Sequence, residues 1–427
     1  ENENARNIEV SSGKVIDDGS KTVVVGMAMP GLQESLGLYD DEVEIPSNVE
    51  ITMDATNFET SSIMSYVTPK VLEEDDLSEL TTVQSFLDLL EKAQKELVCY
   101  QDKGMSVMEM SHRSAMYLDI YNETEALLRQ MMGIPDNYKV LFLQGGATLQ
   151  FSAVPLNLMG EKNRADYADT GNFAHLAAEE AKKYGEVRIA ASSREDGFIP
   201  RQFDWNPDAA YAYITTNNTI YGTRYTFVPD TGSVPLVADM SSNILSEPTD
   251  VSKFGVIFAG AQKNIGPAGL CVAIIREELL GQEKPFTPKL LSWALEAKNG
   301  SMLNTPNTYG IYMAKLVFEW LRDLGGVPAI YERNVAKAAI LYDYLDESRL
   351  FRSPVHREDR SLMNVPFVTG DADQDAAFVK YAAARGLVNL KGHRSVGGMR
   401  ASIYNAMPVE GVKALVDVMK AFEKENT

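Results

Sequence analysis

The stretch GVIFAGAQKNIGPAGLCVAII spans residues 255–275. Its two ends, Gly255–Ala259 and Leu270–Ile275, are short apolar runs that read as strands. Between them small residues clear space around Lys263, and Gly266-Pro267-Ala268-Gly269 turns the chain from one strand into the next. A lysine projecting from a strand end into so tight a loop is poorly explained as a solvated surface charge. It suits a Schiff base with an aldehyde cofactor, since partial burial and neighbouring positive charge lower the pKa of the amine.

Upstream of this stretch, strand and helix signals alternate. Lys139–Leu143 is a short apolar strand, Gly145-Gly146 breaks it, and Ala147–Leu158 continues as a helix. Further strands are expected at Val187–Ala190, Ala212–Thr215 and Leu236–Ala238, with an amphipathic stretch at Phe173–Lys183. Such alternation predicts an α/β domain with a mainly parallel sheet. Downstream, helices are expected at Ile311–Leu324, Asn334–Leu345, Gln374–Arg385 and Val409–Glu423, and strands near Asn364–Val368 and Met399–Tyr404. That mixture predicts a smaller α+β C-terminal domain.

The chain has 427 residues and a net charge of −20, which argues against wrapping nucleic acid or an anionic membrane. No apolar run is long enough to span a bilayer, and the first residues carry no signal-peptide pattern, so a cytoplasmic chain is expected. Cys99 and Cys271 lack metal-ligand spacing, and no metal site is expected. The charge is uneven: residues 1–90 hold 19 acidic and 4 basic residues, and the other 337 carry a net of only −5. The composition therefore sets off an acidic, β-leaning segment over 1–90, and the change from strand–helix alternation to the α+β mixture divides the rest into a large domain over 91–325 and a small domain over 326–427. In the first segment Thr22–Val25 and Val49–Met53 read as strands, and residues 29–31 and 46–48 as turns. The acidic run Glu73–Asp76 leads into a helix carrying Val83, Phe86, Leu87, Leu90 and Ala93 at spacings of three and four.

From about Glu91 to Lys424 the sequence resembles the phosphoserine aminotransferases, a branch of the fold-type-I pyridoxal-phosphate enzymes. The motifs are GMSVMEMSHRS at 104–114, LFLQGGATLQF at 141–151, ITTNNTIYGT at 214–223, VADMSSNILS at 237–246, NGSMLNTP at 299–306 and KGHRSVGGMRASIYNAMP at 391–408. The lysine loop belongs to the same set.

The resemblance implies pyridoxal 5'-phosphate on Lys263. It places the cofactor phosphate at Ala147 and Thr148, where a helix N-terminus offers backbone N–H groups. Gln262 would add a neutral donor, and Asn304 and Thr305 would reach the phosphate from the other subunit of a homodimer. Asp239, at a strand's carboxyl end, would pair with the protonated pyridine nitrogen and keep the ring an electron sink. Thr219 would bond the phenolic oxygen. Phe173 would stack on the ring, at a position where family members often carry tryptophan.

Arg400 would take the substrate α-carboxylate, for which a planar fork is suited. His393 and Arg394, with His112 and Arg113 from the partner subunit, would hold the substrate phosphate or the distal carboxylate of glutamate. His175 and His356 have no motif around them and read as structural.

The implied reaction exchanges an amino group between glutamate and 3-phosphohydroxypyruvate, giving 2-oxoglutarate and phosphoserine for serine biosynthesis. By the same resemblance, the phosphorylated threonine analogue of pyridoxine biosynthesis would be a related substrate. One alternative is an aminotransferase for an unphosphorylated amino acid or glyoxylate. Another is an impaired fusion acting as a binding module, because LEEDDLSELTTVQSFLDLL, residues 72–90, stands where the family has an opening segment that lines the active site. Two stretches, TVVVGMAMPGLQESLGL at 22–38 and VEIPSNVEITMDATNFE at 43–59, resemble extracytoplasmic parts of phage-infection-type membrane proteins instead.

Overall fold

A computed structural model describes residues 86–194 and 196–426 in full, together with the backbone of residues 5–10, 13–17, 22–26, 51–55 and 74–85. The chain divides into two compact units, Glu1–Ser78 and Glu79–Thr427. In the first unit β1 (Ala5–Val10) pairs antiparallel with β4 (Ile51–Ala55), and β2 (Gly13–Asp17) forms a hairpin with β3 (Thr22–Gly26). The β-rich runs from Thr22 and near Ile51 are thus strands. The expected turns at 29–31 and 46–48 lie outside the described residues.

A helix, α1 (Glu74–Val98), leads into the second unit, and α2 (Ala115–Met132) follows it. The unit is built on a seven-stranded sheet. Its strands are β5 (Tyr138–Gln144), β6 (Arg164–Asp169), β7 (Glu186–Ser192), β8 (Ala212–Thr215), β9 (Leu236–Asp239), β10 (Val256–Gly260) and β11 (Leu270–Arg276), in the order β5-β11-β10-β9-β8-β6-β7. Neighbours from β10 to β7 run parallel, while β11 is antiparallel to both β5 and β10. The sheet is therefore mainly parallel, as the alternating pattern predicts.

Side chains alternate across the sheet, so each strand feeds two cores. Phe142, Ile214, Ala238, Ile257 and Val272 join one cluster with α2 and α6 (Thr308–Asp323), whereas Leu143, Tyr213, Val237, Phe258 and Ala273 join another. The second face is covered by α3 (Gln150–Leu158) and α4 (Asn172–Ala181), while a short helix, α5 (Trp293–Lys298), adds Trp293 to it. Burial on both faces explains why these strands read as unbroken apolar runs.

A third cluster forms around α7 (Gly326–Glu347), α8 (Ala372–Ala383), α9 (Val409–Asn426) and the antiparallel pair β12 (Asn364–Phe367) and β13 (Met399–Ser402). Phe351, Phe367, Phe378 and Phe422 meet there edge to face. This is the α+β mixture expected of the C-terminal third.

Strand β6 and helix α2 are among the elements that the sequence expectation leaves out. Strand β6, RADYAD, is masked by its charges; buried Asp166 accepts from Arg188 Nη2 at 2.7 Å and Nε at 3.2 Å, which offsets the cost of burying it. Helix α2 starts at Ser114, whose Oγ accepts from Tyr117 N, and stops at Gly133 with φ of 59°. The expected helix from Ala147 is a 3₁₀ turn over Ala147–Leu149 before α3 begins.

Candidate active site

Parallel strands present their carboxyl ends on one edge of a sheet, and ligands bind beyond that edge. Five candidate positions leave strands of this sheet in the same way. Ala147 follows β5, Phe173 follows β6, Thr219 follows β8, Asp239 ends β9 and Lys263 follows β10. Asp239 lies opposite Thr215 on β8 and Phe258 on β10, in the middle of the parallel strands.

Lys263 is the hub. Its Nζ donates to Thr219 Oγ1 at 2.8 Å and lies 5.6 Å from the centroid of the Phe173 ring. Arg400, on β13, donates from Nη1 to the carbonyl of the same Thr219 at 3.2 Å. Burial lowers the lysine pKa to about 8, with Asp239 pulling it up and Arg400 pushing it down. Asp239 is buried, and burial raises its carboxyl above the ordinary range, against a bond from Ser241 N at 2.9 Å and the Lys263 charge. The Arg400 fork is half used, because its buried Nε has no partner among the described residues.

The turn after β5 brings a second group together. A Cβ on Gly260 would lie 2.8 Å from Gln262 Oε1 and 3.4 Å from the Ala147 methyl, so glycine lets the end of β10 approach this corner. The 3₁₀ turn that opens at Gly146 has no side-chain cap, and the first N–H groups of such a turn, here those of Ala147 and Thr148, are the ones a helix start leaves without an intrahelical acceptor. Gln144, at the end of β5, donates from Nε2 to the carbonyl of Thr305. Asn304 lines a cleft of about 320 Å³ with Gln144, Gly145 and Gln150.

Among the described residues, neither His-Arg pair bonds Lys263, Thr219 or Arg400. His393 Nδ1 shares a 2.7 Å hydrogen bond with Ser395 Oγ. Arg113 and Arg394 are exposed, and among the described residues neither guanidinium takes a partner. His112 Nε2 is buried and has no partner among the described residues. Of the two histidines read as structural, His175 bonds Asp169 Oδ2 at 3.0 Å and His356 packs on Phe198.

Sequence reasoning passes over the amide residues that line these turns. Asn218 is buried and donates to Thr170 Oγ1 at 3.2 Å and Thr223 Oγ1 at 3.0 Å. Asn217 donates to Ser242 Oγ at 2.8 Å and to Asn364 Oδ1 at 3.0 Å, joining the ends of β8 and β9 to β12. The signal available for them is the run TTNN at a strand end, a poor place for four polar residues unless a turn employs them.

A conjugated aldehyde cofactor with a phosphate matches this donor set: a softened amine, a buried carboxylate needing a cation, an aromatic face and the backbone amides of a turn with no side-chain cap. The comparisons agree. The model of the class-V aminotransferases matches residues 77–415, and the chain belongs to that family. A curated relative from Bacillus cereus, a phosphoserine aminotransferase, is 56% identical over 344 residues, which cover 80% of this chain and 96% of the relative. The solved phosphoserine aminotransferase of Bacillus circulans subsp. alkalophilus is 44% identical with a TM-score of 0.78, covering 80% of this chain and 96% of that one. A pyridoxal-phosphate-bound phosphoserine aminotransferase from Trichomonas vaginalis is 41% identical with a TM-score of 0.76, over 78% and 96% of the two chains.

Proposed function

We propose that this chain exchanges an amino group between glutamate and 3-phosphohydroxypyruvate, forming phosphoserine and 2-oxoglutarate with pyridoxal phosphate as cofactor. The observation that carries the reading is the Lys263–Thr219–Arg400 chain of bonds at the sheet's carboxyl edge. It sets a base and a carboxylate fork side by side. When bound, the cofactor supplies a conjugated ring that accepts electron density from the substrate α-carbon.

The residues of the chain do the rest. Asp239 would hold the ring nitrogen of the cofactor in its cationic form, a charge that would satisfy the buried carboxylate. Phe173 supplies the stacking face and Thr219 a hydroxyl for the phenolic oxygen. Ala147, Thr148 and Gln262 receive the phosphate, with Asn304 and Thr305 of the partner subunit completing the cup. Arg400 takes the α-carboxylate through its unpaired Nε. Lys263 Nζ, whose pKa burial lowers to about 8, would carry the proton away from the substrate α-carbon.

His393 and Arg394, with His112 and Arg113 of the partner subunit, receive the substrate phosphate. The two guanidinium groups, of Arg113 and Arg394, have no partner among the described residues, an arrangement suited to a dianion. A homodimer is supported by the exposed Leu149, Phe286 and Leu290, apolar side chains near the Asn304 cleft or on the segment leading to α5. No helix among the described residues is long and apolar enough to cross a membrane. A biosynthetic transaminase drawing on glutamate fits the cytoplasm.

Turnover of phosphoserine against serine and alanine, each with 2-oxoglutarate, tests the reading. Strong preference for phosphoserine is expected. Equal turnover of alanine would favour a transaminase for unphosphorylated amino acids.

A further inference from the structure

Three buried asparagines converge on one short stretch of backbone. Beyond Asp239 the chain turns through residues 240–246, and there the buried Leu245 holds φ at 61°. Leucine rarely occupies that left-handed region, and it stays there only where the surroundings hold it. Three successive carbonyls are held here. Asn264 Nδ2 donates to Ile244 O at 3.2 Å, Asn405 Nδ2 to Leu245 O at 2.9 Å, and Asn334 Nδ2 to Ser246 O at 3.1 Å.

The asparagines also bond one another. Asn405 N donates to Asn264 Oδ1 at 3.1 Å, and Asn334 Nδ2 donates to Asn405 Oδ1 at 2.9 Å. Each comes from a different element: Asn264 follows Lys263, Asn405 lies shortly beyond β13 and Arg400, and Asn334 is on α7. Lys337, one turn further along α7, donates to Tyr404 O at 2.9 Å and Met407 O at 3.0 Å, on either side of Asn405. A connected polar network in a low-dielectric interior permits one arrangement of its members, where an apolar seam would permit sliding.

Taking over from the proposed function the roles of Asp239, Lys263 and Arg400, we propose that Asn264, Asn334 and Asn405 form a positioning clamp. It sets the Lys263 loop and the Arg400 strand against the turn that follows Asp239. The three groups that handle ring, proton and carboxylate are thereby fixed by one seam lying behind them. Misplacement by about 1 Å at such groups costs on the order of 100-fold in rate, so a seam of this kind is felt in catalysis.

Asn405→Ala in the holoenzyme is expected to raise KM for glutamate about tenfold and to shift the pH midpoint of pyridoxal phosphate uptake by the cofactor-free protein by about half a unit. Leu345→Ala, which opens the C-terminal core without touching the turn, is expected to lower the melting temperature with neither change. If Asn405→Ala lowers the melting temperature yet leaves KM and the midpoint as in the wild type, the asparagines only stabilise the fold and the proposal is overturned. Where Asn405→Ala does not fold, Asn334→Ala, which alters neither the Lys263 loop nor β13, is judged by the same two readouts. A cofactor absorption band that survives Lys263→Ala would overturn the functional reading, and the clamp would fall with it.

Discussion

Lys263 and Arg400 are joined through one residue, the amine bonding the hydroxyl of Thr219 at 2.8 Å and the guanidinium bonding its carbonyl at 3.2 Å. Two cations so linked repel, and the repulsion adds to burial in favouring the neutral amine. A neutral amine is the form that condenses with an aldehyde and accepts a proton.

Uptake of pyridoxal phosphate by the cofactor-free protein is therefore expected to rise with pH about a midpoint near 8, as the amine loses its proton. Arg400→Ala removes a charge that lowers the amine, so its midpoint moves up. Asp239→Asn removes a charge that raises it, so that midpoint moves down. Stopped-flow uptake across the pH range reads all three, and shifts in the opposite directions would contradict the electrostatic account.

Arg394→Ala is expected to weaken phosphoserine by about 2–5 kcal/mol relative to a substrate without a distal anion, the loss typical of a buried charge-assisted contact. The exposure of Arg394 in the single chain sets the condition. Burial must come from substrate and partner subunit. The ratio of kcat/KM for phosphoserine and alanine in variant and wild type measures it, and an unchanged ratio removes Arg394 from phosphate recognition.

Lys337 offers a separate check on the C-terminal core. Burial lowers its amine to about 7, against about 10.4 in an unfolded chain. Between those values the unfolded state binds more protons, so stability rises with pH, by at most about 1.4 kcal/mol per unit. Lys337→Met removes the titration along with the bonds to Tyr404 O and Met407 O. Denaturant unfolding from about pH 7 to 9 is expected to show wild type gaining on the variant as pH rises. A difference that stays constant across the range would contradict the assignment.

Elements with unbroken apolar runs were legible in the sequence because both faces of the sheet are buried: Ala212–Thr215 coincides with β8, and Leu270–Ile275 falls one residue short of β11. Strand β6 was not, because Asp166 and Arg188 neutralise each other only once two strands are side by side. Lys263 stood out because a lysine among glycines and alanines has few structural uses. Asn264, beside it, did not, since its partners Ile244 and Asn405 are distant in sequence and nothing local marks the bonds. The chain of motifs led to Thr219 and Arg400, but that one carries the other's carbonyl bond is a fact of the fold.

The most direct measurement is the chemical location of the cofactor. Purified chain is incubated with pyridoxal phosphate, reduced with borohydride, digested and mapped by mass spectrometry. The account predicts a visible band before reduction and, afterwards, the added cofactor mass on the peptide that contains Lys263, with both absent in Lys263→Ala. Cofactor mass on another lysine, or a band that persists in the variant, would contradict it.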